Sequence, residues 1–250
     1  MDTGAIIETD GLTKIYNGET AVDHLSFTVS EGEIFGFLGP NGAGKTTTLL
    51  MLLGLTEPTS GKARILGLDP TRDPIRVKSK VGYLQENMGF YTDLNAVQML
   101  RFVAELNAVT GSVATERIEN ALEIVGLAKE SGKKIGAYSR GMRQRLGIAE
   151  LLIKDSRVAF LDEPTLGLDP DATNRIMDLI ERLCHDKKMT ILLSSHLLHQ
   201  VQKICHRIGI MINGRMVAQG PMDRLAEEKL GIGQETYTLE EIYMKYFREA

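Results

Sequence analysis

The fold of this chain is decided by residues 34–46, which read Ile-Phe-Gly-Phe-Leu-Gly-Pro-Asn-Gly-Ala-Gly-Lys-Thr. The apolar run Ile34–Leu38 predicts a buried strand, and residues 45–53 after it predict a helix. Between them, Gly39–Thr46 matches the P-loop pattern, in which glycine-rich backbone turns from a strand into a helix. We therefore predict that the N-terminus of this helix faces a bound anion.

The residue types of this loop suit the triphosphate of a nucleotide. Glycines let successive backbone N–H groups turn inward, where a Cβ would obstruct a phosphate. Lys45 places a cation on the β- and γ-phosphates, and the Thr46 hydroxyl can ligate Mg²⁺. The alternative is a glycine-rich turn that binds nothing, in which a Lys-Thr pair would have no purpose. The predicted nucleotide-binding residues of the loop are Gly39, Pro40, Asn41, Gly42, Ala43, Gly44, Lys45, Thr46 and Thr47.

Composition and charge exclude several classes of protein. With 250 residues, of which 43% are hydrophobic and 25% charged, the chain is typical of a soluble globular protein. A net charge of −4 gives no electrostatic reason to expect a nucleic-acid partner. No apolar run approaches the roughly 18–20 residues that cross a bilayer, and residues 1–8 lack a secretory signal pattern. We expect Cys184 and Cys205 to be reduced core residues of a cytoplasmic protein.

The order of strands and helices predicts an α/β fold. Residues 5–35 alternate apolar and polar side chains, with turn residues near Asn17 and Glu31, which predicts antiparallel strands. From Ile34 onward, strands alternate with helical patterns such as residues 171–185, which predicts a parallel sheet around the P-loop. The strand candidates in this second part are residues 62–67, 81–84, 157–161, 189–194 and 207–212.

The remaining stretches are helical in pattern. Residues 88–153 carry periodic apolar positions and no convincing strand, which predicts an inserted α-helical subdomain. Residues 221–250 predict one or two C-terminal helices, joined at Gly231-Ile232-Gly233. The fold expected is a single domain over 1–250, in which residues 1–87 and 154–220 form the N-terminal antiparallel β subdomain and the P-loop core.

Two adjacent carboxylates end an apolar strand at Val158–Glu163. Because successive side chains of a strand point to opposite faces, Asp162 and Glu163 can serve different tasks. We expect Asp162 to accept from Mg²⁺-bound water beside Thr46, and Glu163 to act as a general base on the attacking water. The alternative is a solvated Asp-Glu pair, which a P-loop about 120 residues upstream disfavours.

Three further motifs, together with the P-loop and the two acids, occur in the order found in one known family. With them the chain resembles the ATP-binding subunit of ABC (ATP-binding cassette) transporters. The segment Tyr138–Met142 lies where that family keeps its Leu-Ser-Gly-Gly-Gln signature. Gln85 lies at the place of the family's Q-loop, and Asp169 at that of its D-loop. The resemblance covers nearly the whole chain, and it implies a RecA-like core.

Two single residues extend the resemblance. His196 follows an apolar strand, at the place of the family's switch histidine, where it could bind the γ-phosphate and orient Glu163. Tyr16 lies where the family stacks an aromatic ring on adenine. The resemblance also implies that Gln85 holds Mg²⁺ or the attacking water through its amide oxygen.

In this family the signature of one subunit binds ATP that is held on the P-loop of the other. Ser139, Gly141 and Asp169 would therefore contact the nucleotide of a second ATP-binding subunit, either another copy or a paralogue. Two residues depart from the family pattern: Arg140 replaces the first signature glycine and Met142 replaces the glutamine. These departures leave the detailed γ-phosphate geometry open but not the site itself, because residues 141–153 still predict a helix whose N-terminal N–H groups can face a phosphate.

The function implied is ATP hydrolysis, with Mg²⁺, that powers transport by a separate membrane permease. The signature variant and the C-terminal Leu239–Tyr243 resemble exporter subunits, and the chain would lie on the cytoplasmic face of the membrane through its permease. Residues 86–91 lie where the family docks a short permease helix, although their apolar side chains could instead fill the core of the helical insert. An ABC ATPase that moves no solute, such as a cofactor-assembly scaffold, is the alternative function.

Overall fold

A computed structural model of the chain describes residues 4–230 and 237–249. In these ranges the strands are β1 (Ala5–Tyr16), β2 (Glu19–Ser30), β3 (Ile34–Leu38), β4 (Ser60–Ile65), β5 (Val81–Leu84), β6 (Val158–Asp162), β7 (Thr190–Ser195), β8 (Arg207–Ile212) and β9 (Arg215–Gly220). The α-helices are α1 (Lys45–Leu52), α2 (Pro74–Lys78), α3 (Ala96–Leu106), α4 (Gly111–Ile124), α5 (Arg140–Ile153), α6 (Pro170–Lys187), α7 (Leu198–Ile204), α8 (Met222–Leu230) and α9 (Leu239–Glu249).

An antiparallel sheet of three strands has the order β2-β1-β4. The hairpin between β1 and β2 turns at Asn17 and Gly18, as predicted, and both residues have the positive φ of a tight hairpin turn. Phe27 of β2 contacts Phe35 and Phe37 of β3, with ring centroids 5.6 and 4.9 Å apart. This aromatic contact packs the small sheet against the strand that leads into the P-loop.

One strand prediction is wrong in its sheet assignment. The sequence places residues 62–67 in the parallel sheet, but β4 pairs antiparallel with β1, where Ile65 lies opposite Ile7. The reason is that β4 has a single apolar face, with Ala63 buried and its neighbour Arg64 exposed. Strands of a parallel sheet are instead covered on both faces, and β3 is buried along its whole length.

The larger sheet has the order β5-β6-β7-β3-β8-β9. Its first five strands run parallel, and β9 pairs antiparallel with β8. The predictions for residues 81–84, 157–161, 189–194 and 207–212 are confirmed to within one residue at each end. Strand β9 was not predicted from the sequence. It lies at the edge of the sheet, and its half-exposed side chains do not alternate between apolar and polar.

The register of the parallel strands brings several motifs to one edge of the sheet. Leu38, the last residue before the P-loop, pairs with Ser195, and Asp162 pairs with Ser194. Leu84, which precedes Gln85, pairs with Leu161. The carboxyl ends of β3, β5, β6 and β7 therefore meet, which is where open α/β sheets bind their ligands.

Helices α3, α4 and α5 lie within residues 88–153, and α5 packs against both of the others and against β5. The approach of α5 to β5 is close, because a Cβ built on Gly147 would overlap side-chain atoms of Met88 and Leu84. The helical character of this stretch agrees with the sequence pattern. Its treatment as a separate subdomain with boundaries at 88 and 153 stays our proposal.

The two C-terminal helices pack on the end of the core. The backbone N–H of Leu239, the first residue of α9, donates to Gln202 Oε1 of α7 at 2.9 Å. The buried side of α9 carries Ile242 and Tyr246. The predicted joint at Gly231-Ile232-Gly233 lies outside the described residues.

No helix within the described residues is long and apolar enough to cross a membrane. Both cysteines are buried and free of disulfide bonds, as expected. The Cys184 thiol donates a hydrogen bond to the Gly32 carbonyl, at an Sγ-to-oxygen distance of 3.1 Å.

Glu150 on α5 gives a testable dependence of stability on pH. Its Oε1 is buried without a hydrogen-bond partner among the described residues, and burial raises the pKa of Glu150 from 4.5 to about 7. The stabilising neutral form is thus fully present below pH 4.5, and the stabilisation is lost as the pH rises through about 7. We expect Glu150→Gln to be more stable than the parent at pH 8, by up to about 3 kcal/mol in the free energy of unfolding.

Urea unfolding of both proteins at pH 5, 6, 7 and 8 measures this effect. The variant Glu123→Gln, which removes an exposed carboxylate on α4, is a matched control and should follow the parent at every pH. Parallel pH profiles for Glu150→Gln and the parent would contradict the prediction.

Candidate functional site

The P-loop holds the Lys45 side chain inside the fold. Lys45 is only 6% exposed, and its Nζ donates to the carbonyl oxygens of Gly39 at 2.7 Å and Pro40 at 3.1 Å. A Cβ built on Gly39 or Gly44 would overlap a backbone oxygen of a neighbouring segment. These two glycines are therefore required by the protein packed behind the loop, and not only by the approach of a phosphate in front of it.

The front of the loop is open to solvent. Ala43 is buried, whereas Asn41, Gly42 and Thr46 are exposed and Thr47 is half-buried. Gly44 precedes α1 with a positive φ of 99°, so the first helical N–H groups follow directly on the glycine turn. This arrangement leaves backbone donors accessible to an anion.

Asp162 connects three elements at the edge of the sheet. The side chain of this residue is 3% exposed, and its Oδ2 accepts from Thr46 Oγ1 at 2.8 Å. Its Oδ1 accepts from Ser194 Oγ at 2.6 Å. Asp162 thus joins the P-loop helix α1 to the ends of β6 and β7.

A tyrosine that the sequence analysis did not select also lies beside Asp162. Burial, followed by the charge of Asp162 and a hydrogen bond to it, raises the pKa of Tyr83 to about 12. Tyr83 therefore remains a proton donor at neutral pH. Ser194 was likewise missed as a site residue. Both are polar residues within apolar strands that lead to the site, and that signal could have identified them.

The two carboxylate oxygens of Glu163 have different partners. Its Oε2 lies 2.9 Å from His196 Nδ1, and its Oε1 lies 3.7 Å from Lys45 Nζ. Oε1 is buried and makes no hydrogen bond within the described residues. The φ of Glu163 is 48°, which is uncommon for a residue other than glycine, and its N–H donates to Ser194 Oγ at 3.1 Å. The turn after β6 therefore fixes where this carboxylate points.

The electrostatics of Lys45 follow from these positions. Burial lowers the pKa of Lys45, and the negative charges of Glu163 and Asp162 oppose this shift. An additional anion near Lys45 would favour its charged form further. The buried ammonium is thus set against two carboxylates, in a place where a phosphate can approach from the solvent side.

Ser139, Gly141 and Asp169 form a second group, at the start of two helices. Ser139 Oγ accepts from the Met142 N–H at 3.2 Å, which caps α5, and Asp169 Oδ1 accepts from the N–H of the third helical residue of α6 at 2.8 Å. The two helix starts are close, because a Cβ on Gly141 would lie 3.2 Å from that of Ala172. Within the described chain, no hydrogen bond or ion pair joins these three residues to the P-loop.

Arg140, the departure from the signature pattern, packs on the loop that follows Glu163. Its guanidinium lies against Gly167, where any Cβ would overlap it. Arg140 is exposed and makes no hydrogen bond or ion pair within residues 4–230 and 237–249. The N–H groups of its guanidinium are therefore available to a ligand or partner at the start of α5.

Among the described residues, no hydrogen bond or ion pair joins the remaining two predicted residues, Gln85 and Tyr16, to the rest of the site. Gln85 follows β5 directly and is exposed, and its side chain makes no hydrogen bond in the part of the chain described. Tyr16 ends β1 with its ring 42% exposed, and Lys14 Nζ lies 4.8 Å from the ring centroid. The roles of Gln85 on a metal and of Tyr16 on adenine stay predictions.

The donor set at Asp162 fits Mg²⁺ bound together with a nucleotide. The Thr46 hydroxyl and an Asp162 carboxylate oxygen already lie 2.8 Å apart, and both are hard oxygen ligands. Among the described residues, no cluster of three or more His, Cys, Asp or Glu could hold a metal without help. Mg²⁺ commonly binds through one or two protein ligands, with phosphate and water completing its shell.

The dependence of this site on Ser194 can be measured. Ser194→Ala removes the donor to Asp162 Oδ1 and leaves a buried carboxylate oxygen with one partner fewer. We expect Mg²⁺-dependent ATP affinity to fall by about tenfold, because one charge-assisted hydrogen bond contributes about 1.5–3 kcal/mol. Isothermal titration calorimetry with ATP, with and without Mg²⁺, is the measurement.

The control for this prediction lies at the other end of the same strand. Thr190 is also buried and accepts one hydrogen bond from the Gly32 N–H. Thr190→Val should lower thermal stability without changing the affinity for Mg²⁺-ATP. Equal affinity losses in the two variants would show that Ser194 acts through global stability alone.

Comparisons with known proteins agree with this geometry. Residues 22–166, more than half of the chain, match the family described as ABC transporter. The chain is 41% identical, over 220 residues, to the bacitracin transport ATP-binding protein BcrA of Bacillus licheniformis, covering 88% of this chain and 71% of that protein. It is 34% identical to the probable multidrug ABC transporter ATP-binding protein YbhF of Escherichia coli, covering 98% of this chain and 42% of YbhF.

A solved structure shares the fold over its whole length. It is described as the ATP binding subunit of an ABC transporter, is 27% identical in sequence and aligns with a TM-score of 0.85. The alignment covers 97% of this chain and 99% of that one. The P-loop, the buried Asp162 and Glu163, and these likenesses lead to one conclusion: the chain belongs to the ABC transporter family, as an ATP-binding subunit.

Proposed function

We propose that this chain hydrolyses ATP to drive a separate membrane permease, with Glu163 as the general base. The observation that carries the proposal is the buried carboxylate of Glu163, which has Oε2 held by His196 and Oε1 free of hydrogen bonds. Oε1 forms an ion pair with Lys45 at 3.7 Å, but a buried oxygen that accepts no hydrogen bond is still costly, and such groups occur where a ligand or substrate supplies the donor. The water that attacks ATP would be that donor.

The reaction assigns a step to each of these side chains. Glu163 Oε1 accepts a proton from the water, whose oxygen forms a bond to the γ-phosphorus. The bond from that phosphorus to the β,γ-bridging oxygen breaks, and ADP and phosphate are formed. His196 keeps the Glu163 carboxylate oriented through Oε2, and Lys45 places its charge near the phosphates.

Mg²⁺ when bound would neutralise charge on the β- and γ-phosphates. Thr46 and Asp162, with the exposed Gln85, would hold it. Ser194 and Tyr83 would keep the Asp162 carboxylate in place through their hydroxyl groups.

We further propose that two ATP-binding subunits share their sites. Ser139 and the exposed start of α5 are not bonded to the P-loop of their own chain within the described residues, which supports a role toward a second subunit. Two helix N-termini, those of α5 and α6, open at the same place and favour a negatively charged ligand. Closure of the dimer around ATP, and opening after hydrolysis, would supply the motion.

The relatives support export as the direction of transport. BcrA is named for bacitracin transport, and YbhF is named as a probable multidrug transporter protein. We therefore propose a permease partner and a position on the cytoplasmic face of the membrane. The alternative, an ABC ATPase that moves no solute, is less favoured by these names.

Replacement of the general base tests the chemical step. Glu163→Gln should retain ATP binding and slow hydrolysis by at least about 10²-fold, the scale of general-base catalysis. The variant should also accumulate as an ATP-bound dimer, because closure no longer ends in cleavage. Phosphate release and analytical ultracentrifugation measure the two effects. Glu181→Gln, an exposed change on α6, is the control, and turnover of Glu163→Gln near that of the control would remove Glu163 from this role.

The docking of a permease can be tested at a groove beside α3. Tyr91 is 60% exposed and contacts Phe102 edge-to-face at 5.8 Å, and both line a hollow of about 530 Å³. Met88 and Phe90 of the same segment are instead half-buried and pack on the main core. Phe90 also lines the hollow, so it takes part in both the core and the groove, whereas the larger exposure of Tyr91 supports its role as a docking residue.

Tyr91→Asp should leave the basal ATPase rate within about twofold and weaken permease binding by at least tenfold, as loss of an aromatic anchor does. Co-purification with the permease, alongside ATPase assays of the isolated subunit, measures both. Leu106→Asp, at the exposed end of α3, is the matched control and should keep permease binding. Unchanged binding of Tyr91→Asp would exclude this groove as the docking surface.

A further inference from the structure

We propose that α9 carries a second contact between two copies of this chain, formed by the same face of each helix. The face consists of Glu240, Met244 and Arg248, which lie at positions i, i+4 and i+8 of α9. The contact would be antiparallel, with a two-fold axis at Met244. This inference rests on the proposed function, since the contact would act within the ATP-dependent dimer.

The three side chains are available for such a contact. Met244 is 38% exposed, and Glu240 and Arg248 are exposed as well. Neither charged side chain has an ion pair or side-chain hydrogen bond within the described ranges. With their neighbours on α8 and α9 they line a hollow of about 320 Å³ on the protein surface. The opposite side of α9 is buried against the protein through Leu239, Ile242 and Tyr246. The face that carries Met244 is therefore exposed to solvent.

The charges along the face are self-complementary. The negative residue comes one turn before Met244 and the positive residue one turn after it, each about 6 Å away at 1.5 Å per residue. In a two-fold contact, residue i of one copy meets residue j of the other and residue j meets residue i, and only a residue on the axis meets its own counterpart. Antiparallel pairing therefore places Glu240 of each copy against Arg248 of the other, twice, with the two Met244 side chains at the centre. Parallel pairing would oppose like charges.

The neighbouring side chains leave these three residues as the core of the contact. Glu241 is engaged within its own helix start, where its Oε2 accepts from the Thr238 N–H at 2.8 Å. Tyr243 and Phe247 stack on each other with centroids 5.9 Å apart, and Phe247 is 44% exposed. They add apolar area beside Met244.

The contact is too small to form a dimer alone. One face of an eleven-residue helix buries far less than the roughly 1,200 Å² of a stable interface, and exposed ion pairs contribute little each. Its effect would be to strengthen a dimer held mainly by ATP. The position suits this role, because α9 is bonded through Leu239 and Gln202 to α7, the helix that begins two residues after His196.

A cross-linking experiment tests the geometry without nucleotide, because a covalent disulfide accumulates from contacts that are too short-lived to give a stable dimer. Met244→Cys places two thiols at the proposed axis, and oxidation by diamide should join them into a covalent dimer, visible on a non-reducing gel. The native Cys184 and Cys205 are 5% and 6% exposed and should not react. Arg224→Cys, exposed on α8, is the control and should stay monomeric. Cross-linking of Met244→Cys no faster than the control would overturn the proposed contact.

Charge reversal tests the pairing itself. In the Glu163→Gln background with ATP, Glu240→Arg or Arg248→Glu alone opposes like charges twice and should raise the dimer dissociation constant by about tenfold. The double variant, Glu240→Arg with Arg248→Glu, restores both opposite pairs and should return to within about twofold of the parent. Single variants that dimerise like the parent, or a double variant that is weaker than either single one, would overturn the inference.

The two proposals fail in different ways. If the Glu163→Gln parent forms no dimer with ATP, the shared-site proposal fails, and cross-linking at Met244 then decides the α9 contact by itself. If that parent dimerises and the charge variants have no effect, the shared site stands and the α9 contact fails.

Discussion

The structure depends on the burial of two adjacent carboxylates at the carboxyl edge of the parallel sheet. Removing such a charge from water costs several kcal/mol unless hydrogen bonds or an opposite charge compensate for it. Asp162 is compensated by hydroxyl groups of Thr46 and Ser194, which come from two different elements. Both hydrogen bonds to Asp162 can form only if α1, β6 and β7 meet at one point. This requirement positions the P-loop against the end of β6.

The two acids at this edge have different surroundings, and the difference supports the separate roles that we propose for them. Asp162 has partners on both oxygens, so it is held in one orientation as a metal-side ligand would need. Glu163 has a hydrogen bond on one oxygen only, and its other oxygen forms an ion pair with the Lys45 ammonium at 3.7 Å. A saturated carboxylate is a poor base, whereas an oriented carboxylate with a free oxygen can accept a proton. Strand alternation was expected to separate the two acids, but β6 ends at Asp162 and Glu163 has a φ of 48°, so the turn after the strand produces this division.

Helix α5, which begins after Ser139, connects the edge of the sheet with the start of the helical region. The chain leaves the sheet edge at Gln85, and Met88 then packs on Gly147 of α5, which begins one residue after Ser139. Arg140 adds a contact to the loop after Glu163, through Gly167. The helical region is thereby joined to β5 at Gln85 and to the loop after β6 at Gly167.

Much of the architecture follows from local sequence. The glycine and lysine pattern of the P-loop, the apolar strands of the core and the acids that end β6 are each determined within a few residues. They were predictable because burial on both faces of a parallel strand leaves a continuous apolar run. Strand β9 was not predictable in this way, since an edge strand is half-exposed and carries little pattern. The sheet assignment of β4 failed because a strand's partner depends on residues far away in the chain.

The sequence by itself therefore determined the chemistry of this protein: a triphosphate-binding loop, two acids, and a histidine after a core strand. Only the tertiary structure decided which atoms meet. It placed Ser194 and Tyr83 beside Asp162, left one oxygen of Glu163 without a hydrogen bond, and set Glu240 and Arg248 on an exposed face of α9. The physical reason is that residue types follow from local requirements of strand, turn and helix. Hydrogen-bond partners and exposed faces depend instead on how distant elements pack.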